Sequence, residues 1–146
     1  MGATVRPTDI ALTNPVLRTT PWQPGPAAGL EIPVLVSLTD FHIDGYRDLL
    51  RVVRTALRIQ RDWAGREGSV GLALWVHPLR KRLGSLSAWE SEDDYRRWVG
   101  SSEHMTAVQC HRDHMQRLSS PIWWVDRFDV AEAWHEVGRR WALARS

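Results

Sequence analysis

Two apolar stretches, Ser69–His77 (SVGLALWVH) and Arg82–Trp89 (RLGSLSAW), are separated by only residues 78–81. So short a connection has no room for a crossover helix, so the two stretches form an antiparallel hairpin. What flanks the hairpin then decides the fold. Residues 31–38 (EIPVLVSL) read as a strand. Residues 43–63 turn to a three-four rhythm of Tyr46, Leu49, Leu50, Val53, Leu57 and Gln60, a helix with Asp44 as its N-cap and Gly65 and Gly68 past its end. After the hairpin, Ser91 with Asp94 three residues on gives a helix start of the capping-box kind, ending near Val99. Gly100 breaks that helix, and Ser102 caps another over residues 103–118. Residues 121–129 (PIWWVDRFD) make a last strand. The order is β-α-β-β-α-β, so the expected fold is α+β and ferredoxin-like, with a four-stranded antiparallel sheet.

Two segments fall outside this unit. Residues 1–30 carry Pro7, Pro15, Pro21, Pro24 and Pro26, and proline is excluded from helix and sheet interiors, so they read as an extended arm. Leu17 and Trp22 would anchor it. Val130–Ala144 places Val130, Trp134, Val137 and Trp141 along one stripe, an amphipathic terminal helix. The domain division is therefore an arm over 1–30 and one α+β domain over 31–146.

The strands do not alternate cleanly between apolar and polar. In the second strand Val70, Leu72, Leu74 and Val76 oppose Ala73, Trp75 and His77. In the last, Ile122, Trp124 and Phe128 oppose Trp123 and Val125. The two helices cover one sheet face, so the other needs a cover of its own. A second copy packed sheet to sheet about a two-fold axis would supply it, giving a dimeric α+β barrel. The arm and terminal helix are the rival cover, and would leave a monomer.

The chain has nine Trp against two Phe and two Tyr. Such a surplus fits either a filled core or a wide aromatic pocket. Its basic residues, nearly all Arg, are interleaved with acidic ones, which argues against a nucleic-acid partner. The one tight basic run, residues 80–82, falls at the hairpin turn. A single cysteine, Cys110, excludes an internal disulfide and reads as a small buried residue. No signal peptide or membrane-spanning stretch is legible, and a cytoplasmic protein is the expectation.

The stretch SLSAWESEDDYRRWVGSSEH, residues 85–104, carries a family resemblance. A strand ending in Trp89 is followed by Glu90 and Ser91, an aromatic at Tyr95, and a small-residue turn at Ser101 and Ser102 before His104. This resembles the antibiotic biosynthesis monooxygenase-like families of the dimeric α+β barrel superfamily, over about residues 32–129. The resemblance implies a homodimer around a pocket. It is much less specific for chemistry, since those families include cofactor-free oxygenases, haem degraders, polyketide cyclases and isomerases. The haem degraders carry an axial His ten residues after the Trp that matches Trp98. Here that position is Val108, with His104 and His111 one turn to either side.

His104, Val108, His111 and Met115 fall on one line of a helix. His104 either lines the pocket or stabilises the turn after Gly100, and His111 and His114 belong to it or to an exposed polar face. Cys110 points about 100° from His111, so no metal site is expected. Trp75, His77 and Trp89 could share one sheet face if the hairpin register allows, with Trp124 nearby on the last strand. The candidate substrate-binding residues are thus Trp75, His77, Trp89, Val108, His111 and Trp124, with His104 as candidate catalytic base. Two function classes follow. One is a small monooxygenase-like or cyclase-like enzyme acting on an aromatic or polyketide-like compound without a tightly bound organic cofactor. The other is a non-catalytic dimeric module that holds a hydrophobic ligand, with haem one candidate.

Overall fold

The computed structural model describes residues 17–144. The arm's first sixteen residues lie outside them. Eight strands form one antiparallel sheet. The arm supplies β1 (Arg18–Thr19) and β2 (Gln23–Pro24). The first core strand is split into β3 (Val34–Leu38) and β4 (Asp40–Ile43). The hairpin is β5 (Ser69–His77) and β6 (Arg82–Trp89), and the last core strand is split into β7 (Met115–Ser119) and β8 (Ile122–Val125). Both short arm strands pair with β5. Beyond β5 come β6, then β3 and β4, then β8 and β7. Helices α1 (Tyr46–Arg61), α2 (Glu92–Val99), α3 (Ser102–His111) and α4 (Val130–Ala144) complete the chain.

Several element ends differ from the sequence expectation. The second-half helix stops at His111, not at residue 118, because residues from Met115 onward pair with β4 as β7. Asp44 does not cap α1; Gly45 takes that place with no side-chain bond. Ser101, one residue earlier than expected, caps α3 by accepting the His104 N–H at 3.2 Å. Ser91 does cap α2, accepting the Asp94 N–H at 3.1 Å. On α1 the buried residues are Leu49 and Val52, while Leu50 and Leu57 of the expected stripe stand exposed.

The first core strand kinks at Thr39, and Gly84 makes the kink fit. A Cβ on Gly84 would lie 1.8 Å from the Thr39 carbonyl oxygen, so any side chain there would push the strands apart. The same carbonyl accepts the Trp75 indole N–H at 3.1 Å. Past the kink, buried Asp40 holds Arg82 through two bonds, Nε to Oδ1 at 3.1 Å and Nη2 to Oδ2, a fork that fixes the β4–β6 register.

Helices α1, α2 and α3 lie on one face of the sheet, over Leu35, Leu72, Leu83 and Trp89. The other face carries Val34, Val36, Ala73, Trp75, Leu86 and Ala88. It is covered by Trp134 and Val137 of α4 and by Leu17 and Ala27 of the arm. Trp141 meets Trp75 edge-on at 4.9 Å, and Trp22 stacks on Phe128 at 5.0 Å. Of the two covers open to this face, the chain supplies the intramolecular one. No described helix is long and apolar enough to cross a membrane.

Candidate functional site

Between the sheet and helices α1, α2 and α3 lies a cavity of about 200 Å³. Trp63, Tyr95 and Trp98 form an aromatic wall. Ser37, Thr39, Ser85 and Ser87 stand on the sheet side, and Thr55, His104, Val108 and His111 on the helical side. Exposed Arg117, on β7, stands at the mouth.

His104 is placed by the turn between α2 and α3. Gly100 ends α2, and the Ser101 hydroxyl accepts the N–H of His104 while donating to the Trp98 carbonyl at 2.7 Å. The His104 ring then folds back so that Nδ1 lies 2.8 Å from the Val99 carbonyl oxygen. A carbonyl can only accept, so Nδ1 carries the proton and the neutral ring has its lone pair on Nε2. Burial lowers the His104 pKa below 6.5. The bond to Val99 opposes this and the positive charge of Arg117 adds to it. The ring is thereby held neutral near pH 7 in the tautomer whose Nε2 accepts a proton. His104 thus does both things the sequence left as alternatives: it lines the cavity and it ties down the turn.

The wall is clamped from outside. Trp98 meets His104 edge-on at 5.2 Å and Trp63 at 5.0 Å, while the Arg66 guanidinium lies over the Trp98 ring at 4.2 Å. Arg66 also pairs with Glu103 at 2.6 Å, joining the turn after α1 to the start of α3. Trp63 is 1% exposed and its indole N–H donates to Ser69 Oγ. On the opposite side, the Thr55 hydroxyl donates to the Arg51 carbonyl at 3.2 Å, so its oxygen accepts from His111 Nε2 at 2.8 Å. Burial also lowers the His111 pKa.

Of the residues singled out in the sequence, the cavity brings together His104, Val108 and His111. Trp75 and His77 belong elsewhere. The register sets Trp75 opposite Gly84 and Leu74 opposite Ser85, so Trp75 and His77 share the α4 face while Leu72 and Leu74 meet the cavity. Trp89 is on the helical face, but wholly buried behind the wall, its N–H donating to Ser87 Oγ at 3.0 Å. Trp124 stands 54% exposed on the outermost strand. Cys110 and His114 are exposed, so Cys110 is not the buried residue expected. Trp63, Tyr95, Trp98 and Arg117, which do line the cavity, were not singled out as its residues. Tyr95 and Trp98 entered only through the family pattern.

No family model and no curated protein matches the chain. Solved structures match it by fold. A variant of SnoaB, a cofactor-independent oxygenase from Streptomyces nogalater, aligns with a TM-score of 0.54 at 12% identity, covering 65% of this chain and 95% of that one. An antibiotic biosynthesis monooxygenase aligns at 0.53 with 9% identity, covering 65% and 99%. A conserved protein from Methanosarcina mazei Go1 aligns at 0.53 with 9% identity, covering 67% and 95%. These neighbours are matched nearly whole, while about a third of this chain lies outside each match. The chain therefore has the fold of the antibiotic biosynthesis monooxygenase-like proteins, the fold that the resemblance over about residues 32–129 implied.

Proposed function

We propose that this protein is a small monooxygenase-like or cyclase-like enzyme that acts on a flat aromatic or polyketide-like compound in the cavity beneath α1 and α3, without a tightly bound organic cofactor. The observation that carries the proposal is His104: it lines the cavity, its Nδ1 is committed to Val99, and its Nε2 is free of that bond. Nε2 takes the proton of a phenol or of the carbon beside a ketone. Arg117 offsets the negative charge that develops. In the oxygenase, the resulting anion is electron-rich enough to reduce dioxygen itself. One oxygen atom enters the substrate, whose CH₂ becomes C=O, and the other leaves as water with the two hydrogens removed. In the cyclase, the same carbanion bonds to a carbonyl carbon of its own chain, the C=O π bond opens to an alkoxide, and the proton taken up by Nε2 returns to that oxygen. The test is oxygen uptake and product analysis with a panel of polycyclic phenols and anthrones. Failure of every member to turn over would remove the oxygenase.

The alternative, a module that holds haem, draws on the same His104 and His111. Against it, Val108 stands at the position where the haem degraders carry their axial His, and the nearest histidines, His104 and His111, lie one turn to either side. Mixing the protein with haem is therefore expected to give no Soret shift beyond that of free haem. A shifted band lost in His104→Ala would favour the module instead.

A further inference from the structure

The sheet floor of the cavity is unusual for the centre of a sheet. Ser37 on β3 lies directly opposite Ser87 on β6, and the next residues on that face are Thr39 and Ser85. Ser37 is 2% exposed and Ser87 6%. On their other face the same two strands carry Val36, Leu38, Leu86 and Ala88. Four hydroxyls thus replace apolar side chains on the cavity side alone. Buried hydroxyls cost stability unless they find partners; three of the four meet one within the protein, and all four line the cavity, where a ligand can meet the donors left over.

The protons can be followed. Thr39 Oγ1 accepts the Ser85 N–H at 2.8 Å and lies 2.8 Å from Ser85 Oγ. That contact uses one of the two hydroxyl protons and leaves the other. Ser87 Oγ accepts the Trp89 N–H, so its own proton is not used in that bond. The two rungs are separated by two strand residues, about 7 Å. Such a spacing suits acceptor oxygens distributed along one edge of two or more fused rings, and exceeds the reach of a single phenol oxygen.

We infer that Ser37, Ser85, Ser87 and Thr39 form a hydroxyl ladder that selects polycyclic compounds with several oxygens on one edge and seats that edge on the sheet. The opposite edge then faces the helical side, where His104 stands, and the ring plane lies along Trp63 and Trp98. This rests on the proposed function for the reacting edge, but its own content is binding selectivity.

Three probes separate the two: 2,7-dihydroxynaphthalene, with both oxygens on one edge and spaced like the two rungs; 2,6-dihydroxynaphthalene, with them on opposite edges; and naphthalene. Binding is followed by tryptophan fluorescence under nitrogen. The 2,7-isomer is expected to bind about tenfold more tightly than the other two, the effect of one or two added hydrogen bonds. In Ser37→Ala/Ser87→Ala that preference should fall below about threefold, while naphthalene binds as before and so reports an intact cavity. Ser87→Thr should keep the preference. Equal binding of the two isomers by the unaltered protein, no binding of any probe, or a preference that survives the double alanine variant would overturn the ladder. His104→Ala should leave the preference in place. A protein that keeps the preference yet oxidises nothing therefore sinks the enzyme and spares the ladder; turnover without the preference does the reverse.

Discussion

Replacing His104 by Ala is expected to lower kcat/KM for any substrate the protein oxidises or cyclises by roughly 10²–10⁴-fold, the usual contribution of a positioned general base. The unaltered protein should show an acid limb with its midpoint below pH 6.5, because burial depresses the His104 pKa and a base must be deprotonated to act. That limb should vanish in the variant. The same shift fixes a sign for stability. An unfolded chain takes up this proton near pH 6.5, whereas the folded chain takes it up only at lower pH. Between those two values the unfolded state binds more protons, so His104 makes stability fall as pH falls through that window. A variant with full activity, or one that keeps the acid limb, would exclude His104 as the base. Product formation at several pH values, with oxygen uptake for the oxygenase, decides the matter.

The site was only partly legible because its two halves are encoded differently. His104, Val108 and His111 lie on one short helix, where a spacing of three and four residues is enough to group them. The aromatic wall is assembled from two distant places, Trp63 after α1 and the pair Tyr95 and Trp98 on α2, and no local period links the first to the other two. Trp75 and Trp89 were the more visible tryptophans because they sit in plain strand patterns. A strand pattern reveals two faces but not which one meets a helix. Trp89 follows Ser85 and Ser87 by strand alternation onto the helical face of β6, whereas Trp75, opposite Gly84, lies on the other face. The hydroxyl ladder is not legible as a unit, because Ser85 and Ser87 alternate within an apolar strand pattern. Their partners, Ser37 and Thr39, were part of a strand read for its apolar residues.

The order of the core elements was legible because hairpin length and helix caps are local. The cover of the second face was not, since an amphipathic helix at the end of a chain can fold back or reach a neighbour equally well. The structure shows it folded back: Trp134, 2% exposed, and Val137, 0% exposed, sit among Val36, Ala73 and Leu86. This assigns α4 the part that a second sheet would otherwise play, and it makes α4 the element whose loss should matter most. Trp134→Ala is expected to cost about 3–5 kcal/mol, lowering Tm by roughly 10 °C or more. Ending the chain after Asp129 should do more, because it uncovers the apolar face formed by Val34, Val36, Ala73, Trp75, Leu86 and Ala88. A face of that kind does not stay in water. The shortened chain should associate in a concentration-dependent way in sedimentation, or precipitate, at concentrations where the full chain sediments as a smaller species. A shortened chain that keeps the sedimentation and Tm of the full one would show that α4 does not hold this face closed.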